Sequence, residues 1–121
     1  RGDLQMRKQI FFTILFLSLG FNAFADFKPV EKEVVKLRKT LSKNKVVNKK
    51  DLAKSLMVIE SKAKLIVNDF ARTDITNDVG LIYSKYVTKN EGPTAESKKV
   101  DYWLEHIVED LEEFRSHGIT E

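Results

Sequence analysis

The residues whose types suit chemistry gather late in the chain, where His106 and His117 stand among carboxylates. His106 with Glu109 and Asp110 is a loose acidic cluster whose residue types could ligate a metal but which reads as a solvated surface grouping. A carboxylate-bridged di-iron centre in a helical bundle needs inward glutamates and two Glu-x-x-His pairs on different helices. The residues three before the two histidines are Trp103 and Phe114, so neither pair exists. Two histidines 11 residues apart on one helix cannot share a nucleophile, and no Ser-His-Asp set follows from spacing. With no cysteine, disulfides, thiolate zinc sites and cysteine nucleophiles are excluded together. Glu105, Glu109, Glu112 and Glu113 read as the wet face of a helix rather than a glycosidase pair. The expectation is a protein that is not an enzyme and carries no cofactor and no metal. Tyr83, Tyr86, Tyr102 and Trp103 read as packing side chains, and any left exposed as interface anchors.

Only helices are expected to position these residues. Val30, Val34, Leu37 and Leu41 recur at spacings of 4, 3 and 4, and Pro29 suits a first turn, so a helix spans about Pro29 to Ser42. Asn48 caps a second helix, whose seam of Leu52, Leu56, Ile59, Ala63, Ile66 and Phe70 runs to about Arg72. Thr73 to Asn77 is dense in turn residues and reads as a loop. Val79, Ile82, Tyr83, Tyr86 and Val87 make a third helix, capped by Asn77 or Asp78 and stopped by Asn90, Gly92 and Pro93. Thr94 or Ser97 opens a fourth, with Val100, Trp103, Leu104, Ile107, Val108, Leu111 and Phe114 on its apolar face. Gly118 sits where a left-handed cap belongs, with Ile119 folding back on Phe114. No stretch after residue 25 alternates long enough for a strand. The fold class expected is all-α, an antiparallel four-helix bundle of up-down-up-down order.

The 121 residues carry 21 Lys and Arg against 18 Asp and Glu, 42% of them are hydrophobic, and one domain is the upper bound. Met6, Arg7 and Lys8 precede an apolar run from Ile10 to Phe21, then Ala23-Phe24-Ala25 and Asp26. Basic start, short apolar core and small-x-small ending are the parts of a signal peptide. We expect residues 6–25 to be removed and residues 26–121 to form a periplasmic helical domain, free of the membrane after cleavage. Charge is segregated. From Asp26 to Lys64 there are 12 basic and 5 acidic residues, a net of +7; from Leu65 to Glu121 there are 6 and 12, a net of −6. The exported part is close to neutral and therefore not suited to nucleic acid, which is bound through many phosphate contacts. The segregation suits either a pairing of the first helices with the last inside the bundle or a polarised surface that steers one partner.

Two resemblances bear on function. The stretch from Lys89-Asn90-Glu91-Gly92 to Glu112-Glu113-Phe114-Arg115-Ser116-His117 resembles the closing helices of soluble periplasmic b-type cytochromes. That family implies a haem held between an early methionine and a late histidine. His117 matches the histidine, but the methionine position falls near Val30 or Glu31, and Met57 lies mid-helix. The fold expectation survives while the haem expectation mostly fails. From Met6-Arg7-Lys8-Gln9-Ile10 through Asp26-Phe27-Lys28-Pro29-Val30 to Asp101-Tyr102-Trp103-Leu104-Glu105 the chain is similar to a periplasmic immunity protein of a type VI secretion system. That likeness implies a non-enzymatic inhibitor occupying the substrate pocket of a spike-borne, lysozyme-like peptidoglycan-hydrolase effector, as a homodimer. A haem-binding bundle and a stress or chaperone bundle are the alternatives.

An inhibitor of this kind must put a protruding element into a concave site. The expected element is the loop from Thr73 to Asp78, with Asp74, Thr76, Asn77 and Asp78 offering hydrogen bonds and Tyr83 as a flanking anchor. Its rival is the opposite end, where Ser42-Lys43-Asn44-Lys45 and Asn90-Glu91-Gly92 should lie together.

Overall fold

The computed structural model describes residues 27–120. The expected signal peptide at residues 6–25 lies outside them. The described chain is mostly helical. Helix α1 is Lys28–Ser42, strand β1 Val46–Asn48, helix α2 Lys49–Ala63 and helix α3 Asp69–Tyr83, which continues into a π-helical turn at Ser84–Thr88. Strand β2 is Thr94–Glu96 and helix α4 Ser97–Ser116. Helix α1 packs on α2 and α4, and α3 packs on the same two. No described helix is long and apolar enough to cross a membrane.

Each helix follows from its seam and its ends. In α1, Val30, Val34, Leu37 and Leu41 are buried and a proline opens the first turn. The Asn48 side chain accepts hydrogen bonds from the Lys50 and Asp51 amides at 2.8 and 3.2 Å, the expected cap of α2. Leu52, Leu56, Ile59 and Ala63 are its buried seam. In α4, Val100, Leu104, Ile107 and Leu111 are buried. Gly118 has φ +82°, and the Ile119 and Gly118 amides bond Phe114 O and Arg115 O at 2.9 and 3.0 Å. These are the paired bonds of a Schellman end, which needs the left-handed residue that glycine supplies.

Three expectations are corrected. The second helix does not run to Arg72: it ends at Ala63, Ile66 is buried in the turn that follows, and Phe70 is 79% exposed. That turn closes because the Arg72 guanidinium donates to Ile66 O and Val67 O at 3.0 and 3.2 Å. The loop at Thr73–Asn77 does not exist. Asn68 accepts from the Ala71 amide at 2.9 Å and starts α3 nine residues earlier than Asn77 would, so neither Asn77 nor Asp78 is a cap. Thr, Asn and Asp favour turns when nothing else decides. Here Ala71, Ile75, Val79 and Ile82 form a buried stripe that decides for helix. Finally, two short strands pair antiparallel, with Val46 opposite Glu96, Val47 opposite Ala95 and Asn48 opposite Thr94. Three residues with one inward side chain each are too few to show a period in sequence; Val47 and Ala95 are those inward residues.

Candidate functional site

The five residues expected to bind a partner all sit on α3, and the helix separates them. Asp74 and Asp78 are one turn apart and face α4, where Asp110 meets them. A carboxylate oxygen from each of the three lies within 4.8 Å of the others. Thr76 turns inward along its own helix, its hydroxyl donating to Arg72 O at 2.8 Å. Asn77 is exposed, and Tyr83 is half-buried at a groove of about 360 Å³ shared with Met57, Glu60 and Gly80.

The aspartate trio is the main feature that sequence reading missed. Among the described residues, His106 is a basic side chain close enough for its charge to act on Asp78 and Asp110. Burial, then hydrogen bonding to Asp110 and that residue's charge, push the Asp74 carboxyl up to about 6. Burial likewise raises Asp78 and Asp110, and the neighbouring carboxylates act on both in mixed sense. Asp78 Oδ2 is buried with no hydrogen-bond partner. The carboxyls beside it can donate only when protonated, so ionisation leaves that oxygen unsatisfied. Read from the sequence, Asp74 and Asp78 fall in a loop and Asp110 in a cluster with His106 and Glu109. An i, i+4 pair on one helix facing a single acid on another is a pattern that only the correct bounds of α3 reveal.

At the other end, the connections between α1 and α2 and between α3 and α4 pair through β1 and β2, but in a register that sets Lys45 against Ser97 and residues 90–93 against Lys49, so the expected meeting of residues 42–45 with 90–92 is not what forms. The Ser97 amide donates to Lys45 O at 3.0 Å and the Lys49 amide to Pro93 O at 2.8 Å, on either side of the β1–β2 pairing. The Asn90 side chain donates to Thr94 O at 2.7 Å, the Lys49 ammonium donates to Asn90 O, and Gly92 takes φ +86°. Glu91, Gly92 and Pro93 are exposed on this braced loop. A second exposed turn, between α2 and α3, carries Leu65 and Val67 at 71% and 64% exposure beside Phe70.

The aromatic residues divide. Trp103 is half-buried, and its indole N–H donates to the Tyr86 hydroxyl at 3.0 Å. Tyr102 is 60% exposed and meets both Trp103 and His106 edge-on at 5.6 Å, while Trp103 and His106 stack at 5.7 Å. His106 Nδ1 lies 3.9 Å from Glu109 Oε1. His117 is exposed, its Nε2 3.1 Å from Glu113 Oε2, and Met57 is exposed on α2, so their placement adds nothing in favour of haem. Compared with protein-family models, curated proteins and solved structures, the chain gives no match.

Proposed function

We propose that this protein is a periplasmic immunity protein: a non-enzymatic module that binds a cognate type VI secretion peptidoglycan-hydrolase effector and blocks its substrate pocket. In this reading the four helices run antiparallel in up-down-up-down order, and the connections at one end do the blocking. The observation that carries it is the braced loop from Lys89 to Pro93. A blocking element must hold its shape before binding, because ordering a loop on contact weakens affinity. The pairing of β1 with β2, the Asn90 bridge to Thr94 and the Lys49 contact supply that order. Glu91 is the exposed polar side chain at its tip, of a kind suited to a pocket built for glycan hydroxyls. A homodimer belongs to this reading, with Leu65, Val67 and Phe70 as apolar side chains that a second copy would cover.

The test is titration calorimetry against a lysozyme-like wall-hydrolase domain, taken from the spike-borne effector whose gene this reading expects beside this protein's own, with a wall-lysis assay in parallel. Glu91→Arg should weaken binding by at least ~30-fold, as at a hot spot, and leave the melting temperature within a degree or two. Unchanged affinity rejects the loop as the blocking element. Undiminished lysis in the presence of the unaltered protein rejects the immunity reading itself.

A further inference from the structure

The outer face of α4 combines two properties found together nowhere else among the described residues. It is anionic: Glu105, Glu109, Glu112 and Glu113 are exposed there, with no lysine or arginine between residues 101 and 113 of the helix, and Arg38 of α1 reaches Glu105 at 3.8 Å at its edge. It also carries an ordered aromatic cluster. Tyr102, Glu105, His106, Glu109 and Glu113 follow helical spacing on one face and are all exposed. Tyr102 does not wave freely, because its ring is held edge-on against Trp103 and His106, and Trp103 is fixed from below by Tyr86. The Lys85 ammonium lies 5.4 Å from the Trp103 ring centroid and closes the cluster on the α3 side. A rigid, partly exposed tyrosine in a field of one sign is the composition of an interface hot spot with its steering charge.

We infer that the outer face of α4 is a docking surface for a folded protein partner that presents lysines and arginines around a recess able to receive Tyr102. Charge complementarity selects this occupant. Phosphate backbones and anionic lipid headgroups are repelled by the same carboxylates. A second copy meeting this face with its own α4 would set acid against acid. A second copy meeting it with the basic α1–α2 side would make a heterologous contact, which does not close at two copies. The inference rests on the binding-module part of the proposed function and is independent of the loop at Glu91.

The lysozyme-like wall-hydrolase domain that the proposed function expects as its partner serves as the probe, with binding to the full chain followed by calorimetry and stopped flow at 50 and 300 mM salt. Tyr102→Ala should weaken binding about 30-fold. The double variant Glu105→Lys with Glu109→Lys should slow association about tenfold at low salt and abolish most of its salt dependence. Circular dichroism melts confirm that each variant folds. Unaltered affinity in both, alongside a loss in Glu91→Arg, overturns this surface and leaves the proposed function standing. If the hydrolase does not bind at all, the proposed function falls and this surface is decided by a photo-cross-linking residue placed at position 102 in the producing cells. Cross-links to a lysine- and arginine-rich patch of another folded protein support it. Cross-links to a second copy, or none, overturn it.

Discussion

Helix α4 meets α1 and α3 with acidic side chains on both flanks, and the two sides answer them in opposite ways. Toward α1, Asp101 accepts two hydrogen bonds from Arg38 at 2.7 and 3.1 Å, and Arg115 reaches Glu31 through two more at the same distances. Toward α3, Asp110 meets Asp74 and Asp78, carboxyl against carboxyl. One interface is cross-linked by forked charge pairs; the other stacks like charge on like charge. The same residue type is thus an adhesive or a wedge according to what the opposite helix presents. The segregated charge of the chain pairs only in part: Arg38 with Asp101 joins a basic helix to an acidic one, while Arg115 with Glu31 runs the other way.

The comparison breaks completely if the common core is lost. Ile59 and Leu111 are fully buried, in α2 and α4. Either Ile59→Asp or Leu111→Asp puts a charge where no partner exists, a cost of several kcal/mol that exceeds most of a small domain's stability. Far-UV circular dichroism should show no cooperative melt for either; two intact transitions would reject the assigned seams.

The α3 side is separated from the α1 side by pH. An acid whose folded pKa is raised holds its proton more tightly folded than unfolded, so stability falls as pH rises between the two values. For Asp74 that window lies from about 4 to about 6. Its contribution is complete below the window and lost above it. Asp74→Asn should therefore raise stability at pH 7.5 by about 1 kcal/mol, after discounting for solvent screening, and should flatten the pH dependence. Denaturant titrations at pH 4.5, 6 and 7.5 check this, and a stabilisation that grows toward acid would overturn it. On the α1 side a double-mutant cycle of Arg38→Ala with Asp101→Ala should give a coupling of about 0.5–1 kcal/mol, the range of half-exposed pairs. The smallest effect is expected at Phe70, outside both helix interfaces: at a concentration dilute enough to keep the chain monomeric, Phe70→Ser should change stability by less than ~0.5 kcal/mol, whereas a seam position would lose several times that.

Where burial and spacing agreed, sequence was sufficient. The seams of α1 and α4, the Asn48 cap and the Gly118 end needed no tertiary information, since each is set by neighbours three or four residues away. It failed where an unbroken spacing hid a change of element. Ile66 and Phe70 continue the α2 rhythm, but Asn68 restarts the helix between them, so Ile66 is buried and Phe70 is not. It failed again where Thr73, Asp74, Thr76 and Asn77 outweighed the sparse stripe of Ala71, Ile75 and Val79. With α3 misplaced, the meeting of Asp74 and Asp78 with Asp110 is out of reach, and the strand register that sets Lys45 beside Ser97 rather than beside residues 90–92 has too few residues to show in the sequence.

The π-helical turn at Ser84–Thr88 has a consequence for insertion and deletion. The Lys89 amide bonds Ser84 O at 2.9 Å, five residues back instead of four. Such a turn is an α-helix with one residue squeezed in, and each residue of an α-helix advances its side chain by about 100°. The chain after Thr88 therefore leaves its helix about a quarter turn away from where an uninterrupted helix would release it. Removing a single residue from this turn would change little in composition, charge or hydrophobicity, yet it would swing the departure of the Lys89–Pro93 segment around the axis and carry Tyr86 off its bond to Trp103. Length, more than chemistry, is what this stretch holds constant.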